Sequence, residues 1–194
     1  VAKMAKQKDK DAMIEEPILL KLKEVLEAEK PARAADLSDD EKKVIKGLHL
    51  LTIKPMLYVA NVSEDEVADP SENKYVKMVQ EYAAAEGAQV IVVCAKIEEE
   101  ISELEDDEKK EFLAELGIAE SGLDQLIKAS YSLLGLATYF TAGVQEVRAW
   151  TFRKGMKAPQ CAGIIHSDFE RGFIRAETVA FDDLVEYGSK PAAK

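Results

Sequence analysis

Two short apolar runs separated by a helical segment constrain the fold of this chain more than any other feature. Residues 55–62 (PMLYVANV) and 88–95 (AQVIVVCA) are rich in β-branched and aromatic residues, as buried strands are. Between them, residues 71–87 place apolar side chains at helical spacing and end in a glycine, which commonly stops a helix. A strand, a helix and a strand within about forty residues predict a βαβ unit, and such apolar strands indicate a parallel sheet covered on both faces.

The first 54 residues are typical of helices and predict a helical hairpin. Ile18, Leu22 and Val25 share one face of the first helix, and Pro31 ends it. Ser38 and Glu41 have the spacing of a capping box, which predicts the start of a second helix. Four lysines at the start of the chain either form a solvated face or bind a partner, and the solvated face is favoured. They are Lys3, Lys6, Lys8 and Lys10.

The pattern of the remaining residues predicts two amphipathic helical segments, followed by a region of strands and turns. The helical segments are residues 98–117 and 122–135. In the last region we expect a strand over 147–152, a turn over 154–160, a strand over 172–181 and a short helix over 182–188.

Composition narrows the class of protein. Hydrophobic residues make up 47% and charged residues 32% of the chain, which is a soluble, globular profile. With 26 Lys and Arg against 37 Asp and Glu, the net charge of −11 argues against nucleic-acid binding over the whole surface, although a local basic patch remains compatible with RNA. No apolar run approaches the roughly 20 residues that span a bilayer, and the start lacks a signal-peptide core. We therefore expect an intracellular protein without a membrane partner.

The cysteines and histidines do not indicate a metal site. Cys94 and Cys161 are far apart and neither has a CxxC partner, so the sequence predicts neither a zinc site nor a disulfide framework. His49 and His166 are isolated, whereas a zinc site needs three or four converging ligands. The first residue is not methionine, from which we expect that the sequence begins inside a longer protein.

Two nucleotide-binding motifs are absent from the sequence. A phosphate loop has the pattern GxxxxGK[ST], and the nearest match, Gly117 to Gly122, is followed by Leu123 and Asp124. The DxxG pattern of GTPases does not occur, and no pairing of a nucleophile with a base stands out. The residues that follow the first strand, Asn61 to Glu64, allow two interpretations: a surface turn or a loop that recognises a base. Local chemistry alone favours the turn, because Asn and Ser close strands readily.

Three longer stretches resemble the YchF, or Obg-like ATPase, family, and the resemblance covers essentially the whole chain. They are residues 54–66 (KPMLYVANVSEDE), 134–152 (LGLATYFTAGVQEVRAWTF) and 158–184 (APQCAGIIHSDFERGFIRAETVAFDDL). The resemblance implies an α/β fold class: part of a Ras-like P-loop NTPase sheet with an inserted helical hairpin, followed by a partial β-grasp (TGS) domain. It assigns residues 1–54 to a coiled-coil arm, 55–135 to the C-terminal half of the nucleotide-binding domain, and 136–194 to a truncated TGS domain.

The resemblance also implies a base-binding site at the two strand ends. Related GTPases have Asn-Lys-x-Asp where this chain has Asn61, Val62, Ser63 and Glu64, so the aspartate that clamps guanine is replaced and an adenine-facing site is implied. At the second strand end, Cys94, Ala95 and Lys96 stand where related proteins have Ser-Ala-Lys, with a main-chain role for Cys94. The implied nucleotide-binding residues are Asn61, Val62, Glu64, Cys94, Ala95 and Lys96.

Two functions follow as expectations from the resemblance. The first is a cytoplasmic, monomeric, ribosome-associated ATPase that hydrolyses ATP to ADP and phosphate and takes GTP less specifically. Its Mg²⁺ ligands and phosphate loop lie outside this chain, which holds no catalytic residue or metal ligand and is inactive by itself. The alternative is a non-catalytic module that docks on RNA or the ribosome through the lysines near the start and a second basic group. That group is Arg148, Arg153, Lys154 and Lys157.

Overall fold

The computed structural model describes residues 1–193, and the chain divides into two units, residues 1–133 and 134–194. The helices of the first unit are α1 (Ala2–Lys6), α2 (Lys10–Glu27), α3 (Asp39–Val44), α4 (Lys74–Glu86), α5 (Ala95–Ser102), α6 (Asp106–Glu115) and α7 (Gly122–Leu133). Its strands are β1 (Leu57–Asn61) and β2 (Gln89–Val93). The second unit contains β3 (Leu136–Ala142), β4 (Val147–Arg153), α8 (Ala158–Ile165), α9 (Ser167–Arg171) and α10 (Phe181–Tyr187). No helix in the described part of the chain combines the length and apolar character needed to span a bilayer.

The predicted capping box begins α3. The Ser38 hydroxyl accepts a hydrogen bond from the main-chain amide of Glu41, and the Glu41 carboxylate accepts one from the amide of Ser38 at 2.7 Å. The predicted second helix is present but short. The α3 helix has 6 residues and gives way to 3₁₀ turns, because Gly47 and a left-handed His49 (φ 50°) do not continue an α-helix.

A small apolar cluster holds these first helices together. Two residues of α2, Ile18 and Leu22, are 2–3% exposed and pack against apolar residues of the segment that follows. The other buried members of the cluster are Ala32, Ala35, Leu37 and Ile45.

The predicted βαβ unit is confirmed. The β1 and β2 strands pair in parallel, with Leu57 opposite Gln89 and Asn61 opposite Val93. The helix between them, α4, is capped at its start by the Asn73 side chain and ends at a left-handed Gly87.

A helix lies on each face of the sheet, as predicted: the Tyr58 hydroxyl of β1 donates to Glu86 of α4 on one face, and Val93 of β2 lies against Gly122 of α7 on the other. Coverage is incomplete at Val59, which remains 49% exposed although its neighbour Ile91 is buried.

The helical segments after β2 are confirmed, with one interruption. The first segment is divided into α5 and α6, because Glu105 takes an extended conformation and caps α6 with Glu108. Ile97 and Ile101 of α5, both 2% exposed, pack with Leu113 of α6 and with Cys94 in a second buried cluster.

The second unit differs most from expectation. The β4 strand and α10 were predicted, whereas β3, α8 and α9 were not. The β3 and β4 strands form an antiparallel hairpin, and the Tyr139 hydroxyl of β3 donates to the Cys161 carbonyl of α8 at 2.8 Å. The strand predicted over 172–181 is wrong: residues 173–180 form neither a strand nor a helix, and Ile174 is 92% exposed.

Candidate functional site

The parallel pairing of β1 and β2 places the two predicted loops side by side. Asn61 and Val93 are opposite each other at the carboxyl ends of the strands, and the Val62 amide donates to the Val93 carbonyl at 2.9 Å. Residues 61–64 and 94–96 therefore leave the sheet at the same edge, where ligands bind in many open α/β sheets.

Asn61 connects the two loops directly. Its side-chain oxygen Oδ1 accepts a hydrogen bond of 3.0 Å from the Ala95 amide, the first residue of α5. That amide belongs to the first turn of a helix, where main-chain donors lack intrahelical partners, so the bond also stabilises the start of α5. The other end of the side chain, Nδ2, has no hydrogen-bond partner within residues 1–193 and remains free to donate.

Glu64 and Lys96 also join the two loops. The Lys96 ammonium contacts the Glu64 carboxylate in an ion pair and lies 3.9 Å from Oε1 of Glu100, one turn further along α5. The hydrogen bond from Lys96 to Glu64, together with the charge of that carboxylate, raises the pKa of Lys96. The ammonium therefore remains protonated throughout the neutral range.

The two apolar candidates, Cys94 and Val62, take different positions. The Cys94 side chain is 4% exposed and belongs to the buried cluster with Ile97 and Ile101, so its thiol does not face the loops. The main chain of Cys94 is the part that reaches the site, and its carbonyl accepts from the Glu98 amide at 3.1 Å. Val62 is half-buried. Of the six predicted residues, five contribute a side chain or an amide near the strand ends, and Cys94 contributes its backbone.

Sequence reasoning missed Glu66, which braces the loop after β1. Its carboxylate accepts from the Ser63 hydroxyl at 2.7 Å and from the Asn73 side-chain amide at 2.9 Å. Because Asn73 also caps α4, Glu66 ties the loop to the start of that helix. An acidic run such as Glu64-Asp65-Glu66 is typical of a solvated surface, so the run itself does not predict the role of Glu66. The only local indication in the sequence is Asn73, which is a typical helix cap.

The comparisons with known proteins agree over the whole chain. The family model YchF-GTPase_C, described as a protein of unknown function (DUF933), matches residues 136–194. All 194 residues align at 72% identity with a Bacillus subtilis protein named ribosome-binding ATPase YchF, and at 51% with an Escherichia coli O157:H7 protein of the same name. The chain belongs to the YchF family. It spans about half the length of these curated relatives, 53% of each.

A solved structure supports the YchF assignment at the level of the fold. The Schizosaccharomyces pombe YchF GTPase matches with a TM-score of 0.74 and 37% identity, covering 86% of this chain and 44% of that one. The predicted family and the mixed α/β character are confirmed. The Ras-like sheet, the TGS fold and the divisions at residues 54 and 135 stay predictions.

The sequence also does not reveal the role of Glu98, a residue of α5 that caps the start of α7 in this YchF chain. Its two carboxylate oxygens accept from the amides of Gly122 and Leu123 at 2.6 and 3.2 Å. A carboxylate is favourable there, because a helix N-terminus carries partial positive charge. Since Glu98 lies on α5, two residues after Lys96, this contact anchors the helix that carries half of the candidate site.

The described residues of the YchF chain contain no cluster of metal-ligating side chains. Within residues 1–193, no group of three or more His, Cys, Asp or Glu side chains is placed to hold a metal ion. Mg²⁺ in proteins is usually bound through carboxylates together with substrate phosphates. That the Mg²⁺ ligands implied by the family resemblance lie outside this chain stays a prediction.

Proposed function

We propose that this chain forms the base-binding end of the ATP site in a YchF-type ATPase that hydrolyses ATP to ADP and phosphate. In this proposal Asn61 and Val62 meet the base from one loop and the main chain of Cys94 and Ala95 meets it from the other, with Glu64 and Lys96 paired at the edge of the nucleotide site. GTP binds less specifically. The curated relatives named ribosome-binding ATPase support the reaction assigned to the whole protein.

The hydrogen bond from the Ala95 amide to Asn61 is the observation that carries the proposal. It fixes the orientation of the Asn61 side chain, so that Nδ2 points away from the bonded Oδ1 and is available as a donor. Adenine and guanine both carry a ring nitrogen that accepts a hydrogen bond, and Asn61 suits either purine. The amides of Ser63 and Glu64 have no hydrogen-bond partner within the described residues, and they add donors beside it.

In this proposal the chain contributes to base binding and does not catalyse ATP hydrolysis. Phosphoryl transfer depends on a phosphate loop and Mg²⁺, which position the phosphates and stabilise charge in the transition state. Neither the GxxxxGK[ST] pattern nor a fitting metal cluster occurs in the described residues. We therefore expect the 194 residues by themselves to show no ATP hydrolysis.

Two Asn61 variants test the base site in a full-length chain that carries these residues. Asn61→Asp keeps an oxygen acceptor for the Ala95 amide and removes the Nδ2 donor, whereas Asn61→Ala removes both. We expect each variant to weaken ATP and GTP alike by about 1–3 kcal/mol, the cost of a lost buried hydrogen bond, with the larger effect for alanine. Calorimetric titration of both nucleotides provides the measurement. Unchanged affinity in Asn61→Asp would remove Asn61 from the base site.

Docking on the ribosome is a second proposed function, and it is favoured by the four lysines near the start of the chain. All four are exposed, and none forms an ion pair within residues 1–193. In the second unit, the Arg148 guanidinium lies 4.2 Å from the centre of the Trp150 ring, an arrangement compatible with stacking on RNA. The names of the curated relatives support ribosome binding, and we propose that the protein is cytoplasmic and acts as a monomer.

Salt dependence tests the docking proposal. Replacing the four lysines by glutamine should weaken ribosome binding and flatten its decline with salt, because fewer counterions are released from RNA phosphates. The matched control replaces four other lysines, of which three pair locally with aspartates, and should leave the salt slope unchanged. The control set is Lys42, Lys43, Lys109 and Lys110. Ribosome co-sedimentation at low and physiological salt measures both sets, and equal slopes would exclude the four lysines from the interface.

A further inference from the structure

We propose that Lys96 determines base specificity by holding the Glu64 carboxylate away from the base. The inference rests on the proposed function, because it takes residues 61–64 and 94–96 to be the base-binding loops. Lys96 is a positioning residue in this account: it acts on the base through Glu64.

The position of Lys96 between two carboxylates is the first support. Lys96 lies in the first turn of α5, with Glu64 across the gap between the loops and Glu100 one turn along the same helix. The ion pair with Glu64 crosses between the loops, whereas the approach to Glu100, at 3.9 Å, remains within α5. Lys96 therefore neutralises the one carboxylate of residues 61–64.

The rigidity of the loop is the second support. Residues on both sides of Glu64 are bonded: before it, Asn61 accepts from the Ala95 amide, and after it, Glu66 accepts from the Asn73 side chain and from the Ser63 hydroxyl. The backbone around Glu64 is thus fixed at both sides, and the remaining freedom of Glu64 is in its own side chain. An ion pair with Lys96 sets the direction of that side chain.

The direction of the Glu64 side chain affects base preference, because adenine and guanine present different groups to a carboxylate. Guanine presents an N1–H and a 2-amino group, and a carboxylate accepts from both. Adenine presents a lone pair at N1, which repels a carboxylate in the same place. A free Glu64 carboxylate would therefore attract guanine and disfavour adenine, and its pairing with Lys96 removes that attraction.

A variant that removes the charge of Lys96 tests the inference, again in a full-length chain. Lys96→Met keeps the apolar stem and removes the ammonium, so Glu64 is released. We expect the ratio of GTP affinity to ATP affinity to rise about tenfold, the scale of one charged hydrogen bond gained. Adding Glu64→Gln to Lys96→Met should abolish the rise, because an amide offers one acceptor and no charge. Lys96→Arg, which keeps the ion pair, and Glu100→Gln, which leaves Glu64 paired, are the matched controls.

Calorimetric titration of ATP and GTP separates the outcomes, with circular dichroism to confirm that each variant folds. A shift towards GTP in Lys96→Met that disappears in the double variant supports the inference. An unchanged ratio, or equal losses for both nucleotides, overturns it and leaves the base site standing. If Asn61→Asp also leaves both affinities unchanged, the proposed function itself fails. Lys96 is 63% exposed, so a general loss of folding is not expected from either substitution.

Discussion

The polar side chains that follow β1 are held by specific hydrogen bonds and by one ion pair. The Asn61 oxygen is occupied by the Ala95 amide, the Glu64 carboxylate by Lys96, and the Glu66 carboxylate by Ser63 and Asn73. The family resemblance predicts that Asn61, Glu64 and Lys96 lie at one site. It does not predict which atoms pair, since those contacts depend on the direction in which each loop leaves the sheet.

Gly122 shows how a single missing side chain supports this arrangement. A Cβ added there would lie 2.6 Å from Cγ1 of Val93 and 3.1 Å from Oε1 of Glu98, both of them beside the candidate site. Gly122→Ala should therefore lower the free energy of unfolding by about 1–3 kcal/mol, as overpacking does. Gly47→Ala is the matched control, because no atom lies within 4 Å of its added Cβ. Urea denaturation compares the two variants, and equal midpoints would show that the contact at Gly122 relaxes without cost.

At the scale of elements, prediction succeeded where the signal is local. The helix between the strands has its own cap and stop, Asn73 and Gly87, and the apolar runs of β1 and β2 need no distant information. It failed over 172–181, where a strand-like pattern does not form a strand, because strand formation depends on residues remote in sequence. It also failed at α8, where a turn-like Lys-Ala-Pro is the start of a helix with proline in its first turn.

One contact between elements gives a pH-dependent prediction. Glu86, at the end of α4, accepts from the Arg33 guanidinium at 2.7 Å and from the Tyr58 hydroxyl of β1 at 2.8 Å. The hydrogen bond from Arg33, followed by that from Tyr58, lowers the pKa of Glu86. Arg33 lies in a 3₁₀ turn before α3, so this carboxylate connects the first helical segment to the βαβ unit.

A carboxylate with a lowered pKa in the folded state stabilises the fold above its ordinary pKa and loses that effect as the pH falls through the folded value. Wild type should therefore be more stable than Glu86→Gln near pH 7, and the difference should shrink below about pH 4.3, the ordinary glutamate pKa. Urea denaturation across this range measures it. Glu81→Gln, on the exposed face of the same helix, should show no such difference. A stability gap for Glu86→Gln that stays constant down to acidic pH would contradict the assignment.

At the scale of the whole molecule, the open question is which nucleotide the proposed site prefers. Neither the net charge of −11 nor the division into two units distinguishes ATP from GTP. The names of relatives do not answer it, because the Bacillus subtilis relative is named an ATPase and the Schizosaccharomyces pombe structure a GTPase. The candidate answer lies in residues 61–64. Val62 replaces the lysine whose stem covers guanine in related GTPases, and Glu64, paired with Lys96, replaces the aspartate.

Restoring the guanine clamp tests this claim most directly. In a full-length chain, Val62→Lys together with Glu64→Asp supplies a stem over the base and a shorter carboxylate, which is drawn back from Lys96 to the length needed for bidentate contact with guanine. We expect the preference to move from ATP towards GTP by about 1–3 kcal/mol, or roughly 5- to 150-fold in relative affinity. The measurement is a calorimetric titration of ATP and GTP against wild type and the double variant. A double variant that binds both nucleotides with the wild-type ratio would show that base choice does not reside in residues 61–64.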